Sequence, residues 1–522
     1  MRHAFPMNLV LDTEQRPGRT ARERLTGQLR AALLSGQAGA RDPLPSTRSL
    51  AAAVGVSRGT VVAAYEDLAG EGYVVTVPGS GTFVADDLPG SPRIGWDTAD
   101  APRPAAEPGP PREGAGSRPS PAGEPAGTGG PVINLSPGSP STRFHAHRDW
   151  AAAWRSAVRA ELPSLPPPAA GTEELRSLIA EHLRAARGVR CDPDDVVVTA
   201  GTSDGLGLLV QGLRPEGPTG ARIATEDPGY PAARRVIARL DATPVPIPVS
   251  DGGMDAAALA AAPGPFAAVL LTPSHQYPLG GRLPVAARLA LLAWARDAGA
   301  IVIEDDYDSD FRHGAPSLPT IASLDGEHRV ALVGSYSKTL SPWLRCGYLV
   351  VPDASLRRRV LDVRADLGQP VSGLVQAALA EFLRSGGLRR HLIRVGREYA
   401  HRRALVIDAT AHLAPRVGLA AIEGGLHAAL TWTRGRSAEQ VIARLADRGI
   451  RVASLEAYRH PVHAEGAARR PQGIVFGYGA PTDLQLQRAL AEIAAALADG
   501  GSGAAVRAGT RARRRTGDTL EA

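Results

Sequence analysis

The sequence predicts an α/β protein with a mainly parallel sheet, preceded by a smaller, mostly helical unit that carries a β-hairpin. The sheet is predicted because short β-branched runs alternate with stretches of helical length and periodicity. The two units are separated by residues 88–132, which are so rich in Pro, Gly, Ala and Ser that they cannot bury enough apolar surface to fold. We therefore expect four parts, 12–87, the disordered linker 88–132, 133–500 and a disordered basic tail 501–522.

The composition excludes several classes of protein. With 43% hydrophobic residues among 522, the chain can form a sizeable core, and it has no apolar run long enough to cross a membrane. The first residues lack the apolar core of a signal peptide, so we expect a cytoplasmic protein. The two cysteines, Cys191 and Cys346, exclude a disulfide framework and cysteine-based metal sites, and we predict no metal site of another kind.

The charge is unevenly distributed along the chain. The net charge of +6 permits contact with nucleic acid without requiring it. Residues 1–87 hold nine arginines and nine acidic residues, so DNA binding by this part needs individually positioned arginines. The tail holds five arginines and only two acidic residues. A solvated end is the preferred interpretation of the tail, with a nonspecific DNA contact as the alternative.

The N-terminal part has the pattern of a helix-turn-helix followed by a hairpin. Ser46 and Ser57 are placed to cap successive helices, and Gly55 supplies the turn between them. The following "YVVTVPGSGTFVA" predicts two strands joined by the turn Pro78–Gly81, a β-wing. The pattern by itself also fits a generic helical hairpin beside a β-ribbon.

The residues decide between these interpretations. The segment "LPSTRSLAAAVGVSRGTVVAAYEDLAGEGYVVTVPGSGTFVA" closely resembles the winged helix-turn-helix of the GntR family of bacterial transcription regulators. The resemblance implies binding to double-stranded DNA, with Arg48, Ser57, Arg58 and Thr60 facing the duplex and Gly79 at the wing tip near the minor groove. Recognition helices place their N-terminal side chains at base edges in the major groove, which agrees with these positions.

Five short runs in the large part have the composition of buried strands. Most of the loops that follow them carry polar or glycine residues, and the carboxyl ends of parallel strands form the edge of the sheet where ligands bind. The runs are "VVVT" (196–199), "RIAT" (222–225), "AAVLLT" (267–272), "AIVIED" (300–305) and "VALVG" (330–334).

Lys338, in "GSYSKTLSPWLRCGY", is the single lysine among 59 basic residues. Arginine stays protonated and cannot act as a nucleophile, whereas a lysine amine can form a Schiff base. Ser335, Ser337 and Arg345 supply hydroxyls and a guanidinium of the kind that holds a phosphate dianion. The acids of "AIVIEDDYDSD" can pair with a pyridinium nitrogen. Together these residues have the chemistry of a pyridoxal 5′-phosphate site.

Residues 133–500 resemble the fold-type I, aspartate-aminotransferase-like domain, which has an α/β large domain and a small C-terminal α/β subdomain. Behind a GntR winged helix, such a domain is typical of the MocR/PdxR subfamily. The resemblance implies that Lys338 forms the Schiff base with pyridoxal phosphate, that Asp305 pairs with the pyridine nitrogen, and that Tyr307 hydrogen-bonds the ring hydroxyl. It further implies cofactor contacts from Tyr230, Thr202, Ser203, Ser335, Ser337, Arg345, His275 and Gln276.

The resemblance implies a homodimeric regulator that senses pyridoxal phosphate, or an amine or amino acid that reacts with it, and binds an operator near its own gene. The first alternative is an active aminotransferase that carries a DNA-binding module. Gly473 stands at or near the position where aminotransferases carry the arginine that grips the substrate carboxylate, with Arg469 and Arg470 upstream, which argues against turnover. The second alternative is a large domain that has lost the cofactor and serves only for dimerisation.

Overall fold

The computed structural model describes residues 21–34, 38, 41–70, 73–77, 81–85, 132–142, 147–161, 163–214, 220–311, 318–461 and 470–498. The chain divides into two compact units, Met1–Pro131 and Val132–Ala522. The predicted linker apart from Val132, the predicted tail and Gly79 lie outside the described residues. None of the helices described is both long and apolar enough to span a membrane.

The N-terminal unit is a winged helix-turn-helix, as predicted. Ser46 begins the second helix by accepting a hydrogen bond from Ser49 N at 3.2 Å, and Gly55 ends it in the left-handed conformation with φ of 72°. Ser57 Oγ accepts a hydrogen bond from Thr60 N at 3.1 Å at the start of the third helix. The described elements are α1 (Ala21–Leu34), α2 (Thr47–Val54), α3 (Arg58–Gly70), β1 (Val74–Val77) and β2 (Gly81–Val84).

Packing holds α3 against the rest of this unit. Leu29 of α1 and Leu68 of α3 are completely buried. Arg22 Nε donates to Asp67 Oδ2 at 2.7 Å, which ties α1 to α3. Tyr65 Oη donates to the Pro45 carbonyl at 2.7 Å, so the segment before α2 is tied to α3 as well. These contacts fix the orientation of α3.

The second unit alternates helices and strands. Its helices are α4 (Arg148–Arg159), α5 (Glu173–Arg187), α6 (Thr202–Gly212), α7 (Pro231–Arg239), α8 (Ala256–Ala261), α9 (Val285–Ala298), α10 (Ile321–Leu324), α11 (Tyr336–Thr339), α12 (Ala354–Leu367), α13 (Gly373–Arg384), α14 (Gly387–Thr410), α15 (Ala438–Asp447) and α16 (Asp483–Ala498). Its strands are β3 (Ile133–Asn134), β4 (Val196–Thr199), β5 (Arg222–Asp227), β6 (Thr243–Ser250), β7 (Gly253–Met254), β8 (Ala268–Leu271), β9 (Ile301–Asp306), β10 (Val330–Ser335), β11 (Gly347–Val350), β12 (Gly418–Ala420), β13 (His427–Trp432), β14 (Ile450–Arg451), β15 (Ala453–Ser454) and β16 (Gln472–Gly477).

The large sheet has the strand order β4-β11-β10-β9-β8-β5-β6-β7. Its centre, from β10 through β9, β8 and β5 to β6, is parallel, and β11 runs antiparallel to both of its neighbours. The five predicted strands are β4, β5, β8, β9 and β10, so the predicted α/β fold with a mainly parallel sheet is confirmed.

Strand β6 was not predicted because its sequence, "TPVPIPVS", carries three prolines. Alternate residues of a strand direct their N–H groups to the same edge. Pro244, Pro246 and Pro248 occupy alternate positions, while Thr243 N donates to Ala221 O at 2.8 Å toward β5. The missing donors therefore all lie on the edge away from β5, where, within the described part of the chain, β6 pairs only with the short β7.

The small subdomain is built on an antiparallel sheet with the strand order β12-β13-β16-β15. Val406 of α14, Val441 of α15 and Ile493 of α16 are completely buried in one core with Phe476 of β16. Strand β3 pairs in parallel with β14, so the first strand of the second unit joins a segment more than 300 residues further along the chain. The predicted small C-terminal α/β subdomain is thus present.

Candidate functional site

The candidate site lies where the parallel strands end. Strand β9 ends at Asp306, and β10 ends at Ser335, three residues before Lys338 in α11. Strand β5 ends at Asp227, and Tyr230 follows as the residue that begins α7. Because these strands are parallel neighbours, their carboxyl ends bring the loops to one edge of the sheet.

The Lys338 amine is close to the turn at Gly138. A Cβ atom on Gly138, whose φ is 72°, would lie 2.5 Å from Lys338 Nζ, so glycine leaves the space that the amine occupies. Burial lowers the pKa of Lys338, and the carboxylates of Asp308 and Asp305 partly oppose this effect. A lowered pKa increases the neutral, nucleophilic fraction of the amine. Sequence reasoning missed Gly138 because it is distant from Lys338 along the chain.

Asp305 is a buried carboxyl group with an unsatisfied hydrogen-bond acceptor. Its Oδ1 atom has no hydrogen-bond partner among the described residues. Burial, with the nearby charges of Asp306, Asp308 and Glu226, raises the pKa of Asp305 to about 8. A buried acceptor without a partner is rare, and a cationic N–H at this position would satisfy it and lower its pKa. Asp305 therefore fits a protonated ring nitrogen.

The amino end of α6 faces the two serines of the lysine loop. A Cβ atom on Gly201, which precedes α6 with φ of 98°, would lie 3.7 Å from Ser335 Oγ and 3.9 Å from Ser337 Oγ. Free backbone N–H groups at a helix start favour anions. The predicted anion ligands, all half-buried or exposed, are Thr202, Ser203, Ser335, Ser337 and Arg345.

The predicted anion ligands Thr202, Ser203, Ser335, Ser337 and Arg345 are called the anion cradle below. Tyr230 lies near both this cradle and the buried acid Asp305. Its hydroxyl lies near the Ser203 side chain and Arg345, while burial and the charge of Asp305 raise its pKa. The same tyrosine lines a cavity with Asp305 and Thr272. A planar ring bound between Asp305 and the cradle would therefore contact Tyr230.

An aromatic cluster, formed by Tyr230, Tyr277, Tyr307, Tyr458 and His427, stands beside the site. Tyr277 is its centre, with ring centroids 5.9 Å from Tyr230, 5.5 Å from Tyr307, 5.3 Å from Tyr458 and 5.0 Å from His427. Sequence reasoning missed Tyr277, Tyr458 and His427 as site residues. Tyr277 lies inside the motif "TPSHQYPLGG", but Tyr458 and His427 are in the small subdomain and have no local signal.

His275 is held by Asp308 and Tyr307. Its Nδ1 atom lies 2.8 Å from Asp308 Oδ2 and 3.1 Å from Tyr307 Oη. Tyr307 Oη also donates to the His275 carbonyl at 3.0 Å. The neighbouring Gln276 turns away into the loop, where its amide donates to the Pro228 and Tyr277 carbonyls, each at 2.8 Å.

Gly473, at or near the position where aminotransferases carry the carboxylate-binding arginine, is closely packed in β16. A Cβ atom on Gly473 would lie 2.6 Å from Leu430 O, so no side chain fits there. Two residues further along β16, Val475 belongs to a small buried cluster with Tyr458, and Tyr277 packs against this cluster. Val475 therefore marks the face of β16 that is turned toward the aromatic cluster.

Arg234, which lies near the aromatic cluster, is already occupied by backbone carbonyls. Arg234 donates to the carbonyls of Gly229, Tyr458 and Arg459 at 3.3, 2.7 and 3.0 Å. Arg470 is half-buried just before β16, and Arg469 lies outside the described residues.

In the N-terminal unit, the residues predicted to face DNA lie together. Arg48, Ser57 and Arg58 are exposed, and Thr60 is half-buried. Ser57 Oγ lies 2.9 Å from Thr60 Oγ1, and Arg58 Nε donates to Thr47 Oγ1 at 3.3 Å, so the first turn of α3 is tied to the start of α2. The start of α3 thus presents hydroxyl and guanidinium groups to solvent.

Each of the two units matches a known protein family. Residues 21–84 match the family described as bacterial regulatory proteins, gntR family, and residues 131–466 match aminotransferase class I and II. Fold and site together define a class of DNA-binding regulators with an aminotransferase-like effector domain. Within that class, this chain belongs to the MocR/PdxR subfamily of GntR regulators.

Relatives of similar architecture cover nearly the whole chain. The HTH-type pyridoxine biosynthesis transcriptional regulator PdxR of Corynebacterium glutamicum is 40% identical over 476 residues, which are 91% of this chain and 96% of that protein. The probable rhizopine catabolism regulatory protein MocR of Rhizobium meliloti is 32% identical, over 86% of this chain and 88% of its own.

Solved structures show the fold of the second unit. An archaeal alanine:glyoxylate aminotransferase is similar with a TM-score of 0.64 at 21% identity, covering 70% of this chain and 91% of that chain. LysN, the α-aminoadipate aminotransferase of Thermus thermophilus, complexed with a phosphopyridoxyl-leucine, has a TM-score of 0.62 at 24% identity and covers 70% and 92%. The aminotransferase fold implies binding of pyridoxal phosphate.

Proposed function

We propose that this protein regulates transcription by binding operator DNA through its N-terminal unit and by sensing pyridoxal phosphate, or an amine or amino acid that reacts with it, in its second unit. The observation that carries the proposal is that the chain's one lysine lies within electrostatic reach of a buried acid, Asp305, whose Oδ1 atom is unpartnered among the described residues. Asp305 is suited to a cationic ring nitrogen, and Lys338 to a carbonyl carbon.

When bound, pyridoxal phosphate supplies an aldehyde and a ring that withdraws electrons. In this proposal Lys338 offers the amine, whose pKa is lowered by burial so that its neutral form is more populated at neutral pH. Asp305 holds a proton on the ring nitrogen, and Tyr307 hydrogen-bonds the ring hydroxyl. Tyr230 covers the ring.

The phosphate is proposed to bind at the amino end of α6. Backbone N–H groups at the helix start, the hydroxyls of the cradle and the Arg345 guanidinium together offer neutral and charged donors for a dianion. The proposed phosphate ligands are Thr202, Ser203, Ser335, Ser337 and Arg345. His275 and Gln276 complete the proposed set on the side of the ring hydroxyl, where the Gln276 amide contributes by holding the loop.

On DNA, we propose that Arg48, Ser57, Arg58 and Thr60 contact the major groove and its phosphates, and that Gly79 lies at the wing tip. The parts 12–87, 88–132, 133–500 and 501–522 are proposed as DNA-binding domain, linker, effector domain and basic tail. The protein is proposed to act as a homodimer, so that paired half-sites near its own gene are contacted by two N-terminal units.

The proposal is tested by the affinity of the full-length protein for DNA upstream of its own gene, with and without pyridoxal phosphate. Wild type, Lys338→Ala and the charge-matched Lys338→Arg are compared, and the visible absorption of bound cofactor is recorded in parallel. We expect cofactor-dependent binding in wild type, and no cofactor dependence in either variant because neither has a nucleophilic amine.

Arg58→Ala supplies the matched control, because it leaves the effector unit unchanged. It should keep the visible absorption of wild type while losing affinity for the operator. If wild type shows the absorption but no specific DNA binding, the regulator proposal is wrong. Steady conversion of an amino donor and a keto acid would then favour an aminotransferase.

A further inference from the structure

Two buried imidazoles next to the candidate site each have a ring nitrogen without a partner. His275 and His427 are 4% and 0% exposed. Among the described residues, His275 Nε2 and His427 Nδ1 have no hydrogen-bond partner. The ring centroids are 5.1 Å apart. Buried polar atoms are nearly always satisfied, so two such nitrogens on adjacent rings point to a missing ligand.

The contacts of the other ring nitrogens fix the tautomers. His275 Nδ1 lies 2.8 Å from Asp308 Oδ2, and His427 Nε2 lies 3.2 Å from the Pro278 carbonyl. A carboxylate and a carbonyl only accept hydrogen bonds, so each of these nitrogens carries the proton. The unpartnered nitrogens therefore expose lone pairs and cannot hydrogen-bond to one another.

This arrangement is the one that metal-binding histidines adopt. A histidine that binds a metal ion almost always donates its other ring N–H to a carboxylate or a backbone carbonyl, which orients the ring and raises its basicity. His275 has the carboxylate and His427 has the carbonyl. No function proposed above uses both lone pairs.

We propose that His275 and His427 bind a divalent transition-metal ion of the Zn²⁺ or Co²⁺ type, with Asp308 supplying the compensating negative charge. One ring nitrogen of each histidine and one Asp308 carboxylate oxygen lie within 4.8 Å of one another. Tetrahedral bonds of about 2.1 Å hold two ligand nitrogens roughly 3.4 Å apart, so the two imidazoles of such a site lie side by side. The ring centroids of His275 and His427, 5.1 Å apart, agree with this arrangement. Imidazole and carboxylate are ligands suited to such ions.

The site was not predicted from the sequence because the first histidine lies in a loop of the large sheet and the second begins β13 of the small subdomain. A metal ion here would join the two subdomains. The inference does not depend on the proposed regulatory function, since it concerns ligands that are present whether or not the protein binds DNA.

The test is a titration of the full-length protein, freed of metal with a chelator, with Co²⁺. We expect one ion per chain at this site, with the visible d–d absorption of a nitrogen-ligated, low-coordinate Co²⁺ ion, displaced by Zn²⁺. His427→Gln and His275→Gln should each weaken Co²⁺ binding at least about tenfold, because each removes one ligand. The exposed His412→Gln is the matched control and should bind like wild type.

Circular dichroism establishes that each variant is folded, and the wild-type spectrum tests the site even if one variant is not. The proposal is overturned if wild type shows no such absorption at millimolar Co²⁺. It is equally overturned if both folded variants bind Co²⁺ as wild type does. Either result would mean that the two nitrogens do not bind a metal ion of this type.

Discussion

At the residue scale, the position of the Lys338 amine depends on Gly138, whose missing side chain leaves room for it. Gly138→Ala should lower the affinity for pyridoxal phosphate at least about tenfold, because its Cβ atom would lie 2.5 Å from Lys338 Nζ. The measurement is a titration followed by the visible absorption of bound cofactor.

Gly188→Ala is the control for backbone strain. Gly188 has φ of 69°, close to that of Gly138, but a Cβ atom there meets nothing within 4 Å. Both alanine variants should lose stability by roughly 1–2 kcal/mol, the order of the penalty for a left-handed residue with a side chain. Equal loss of cofactor affinity in the two variants would contradict the assigned role of Gly138.

The buried carboxyl of Asp305 should make stability depend on pH. Its pKa is raised from an ordinary 3.8 to about 8, so between these values the folded chain retains a proton that the unfolded chain releases. The free energy of unfolding therefore falls as pH rises through this window. In cofactor-free protein, Asp305→Asn should be more stable than wild type at about pH 8, by at least about 1 kcal/mol, and nearly equal to it at about pH 4.

Urea unfolding at several pH values measures this difference. Asp362→Asn, on the exposed face of α12, is the control and should show the pH dependence of wild type. An Asp305→Asn profile parallel to that of wild type would mean that this carboxyl has an ordinary pKa.

At the scale of elements, α3 is the proposed recognition helix. Arg58→Ala should weaken operator binding by about 1–3 kcal/mol if the guanidinium reads a base. Arg148→Ala removes an arginine side chain that is 91% exposed in the second unit and should leave the affinity unchanged. Gel-shift titrations at one fixed salt concentration compare the three proteins, and equal affinities would remove Arg58 from the interface.

Elements whose pattern follows from their own residues were predicted, and elements defined by distant partners were not. Strand β4 was predicted residue for residue because its three valines and one threonine are all β-branched, and all four are buried in the structure. Strand β6 was missed because its three prolines are compatible with a strand only if their positions face away from β5, and the sequence alone does not show which edge faces β5. In the site, Lys338 was identified by its rarity, whereas His427 and Tyr458 reach the same place only through the packing of the small subdomain.

At the scale of the whole molecule, cofactor should stabilise one unit and not the other. A ligand at a hundred times its Kd adds about 2.7 kcal/mol to the unit that binds it. Scanning calorimetry should therefore show two transitions, of which pyridoxal phosphate raises the temperature of the larger. Lys338→Ala should abolish most of that shift, and an equal shift of both transitions would show that the units unfold together.

The pairing of β3 with β14 has a consequence for how the protein is made. Ile133 and Asn134 cannot find Ile450 and Arg451 until the ribosome has added more than 300 further residues, which takes roughly 15 to 60 seconds at bacterial rates. The winged helix is complete long before that moment. Each nascent chain therefore carries a complete DNA-binding unit while its second unit is still being translated.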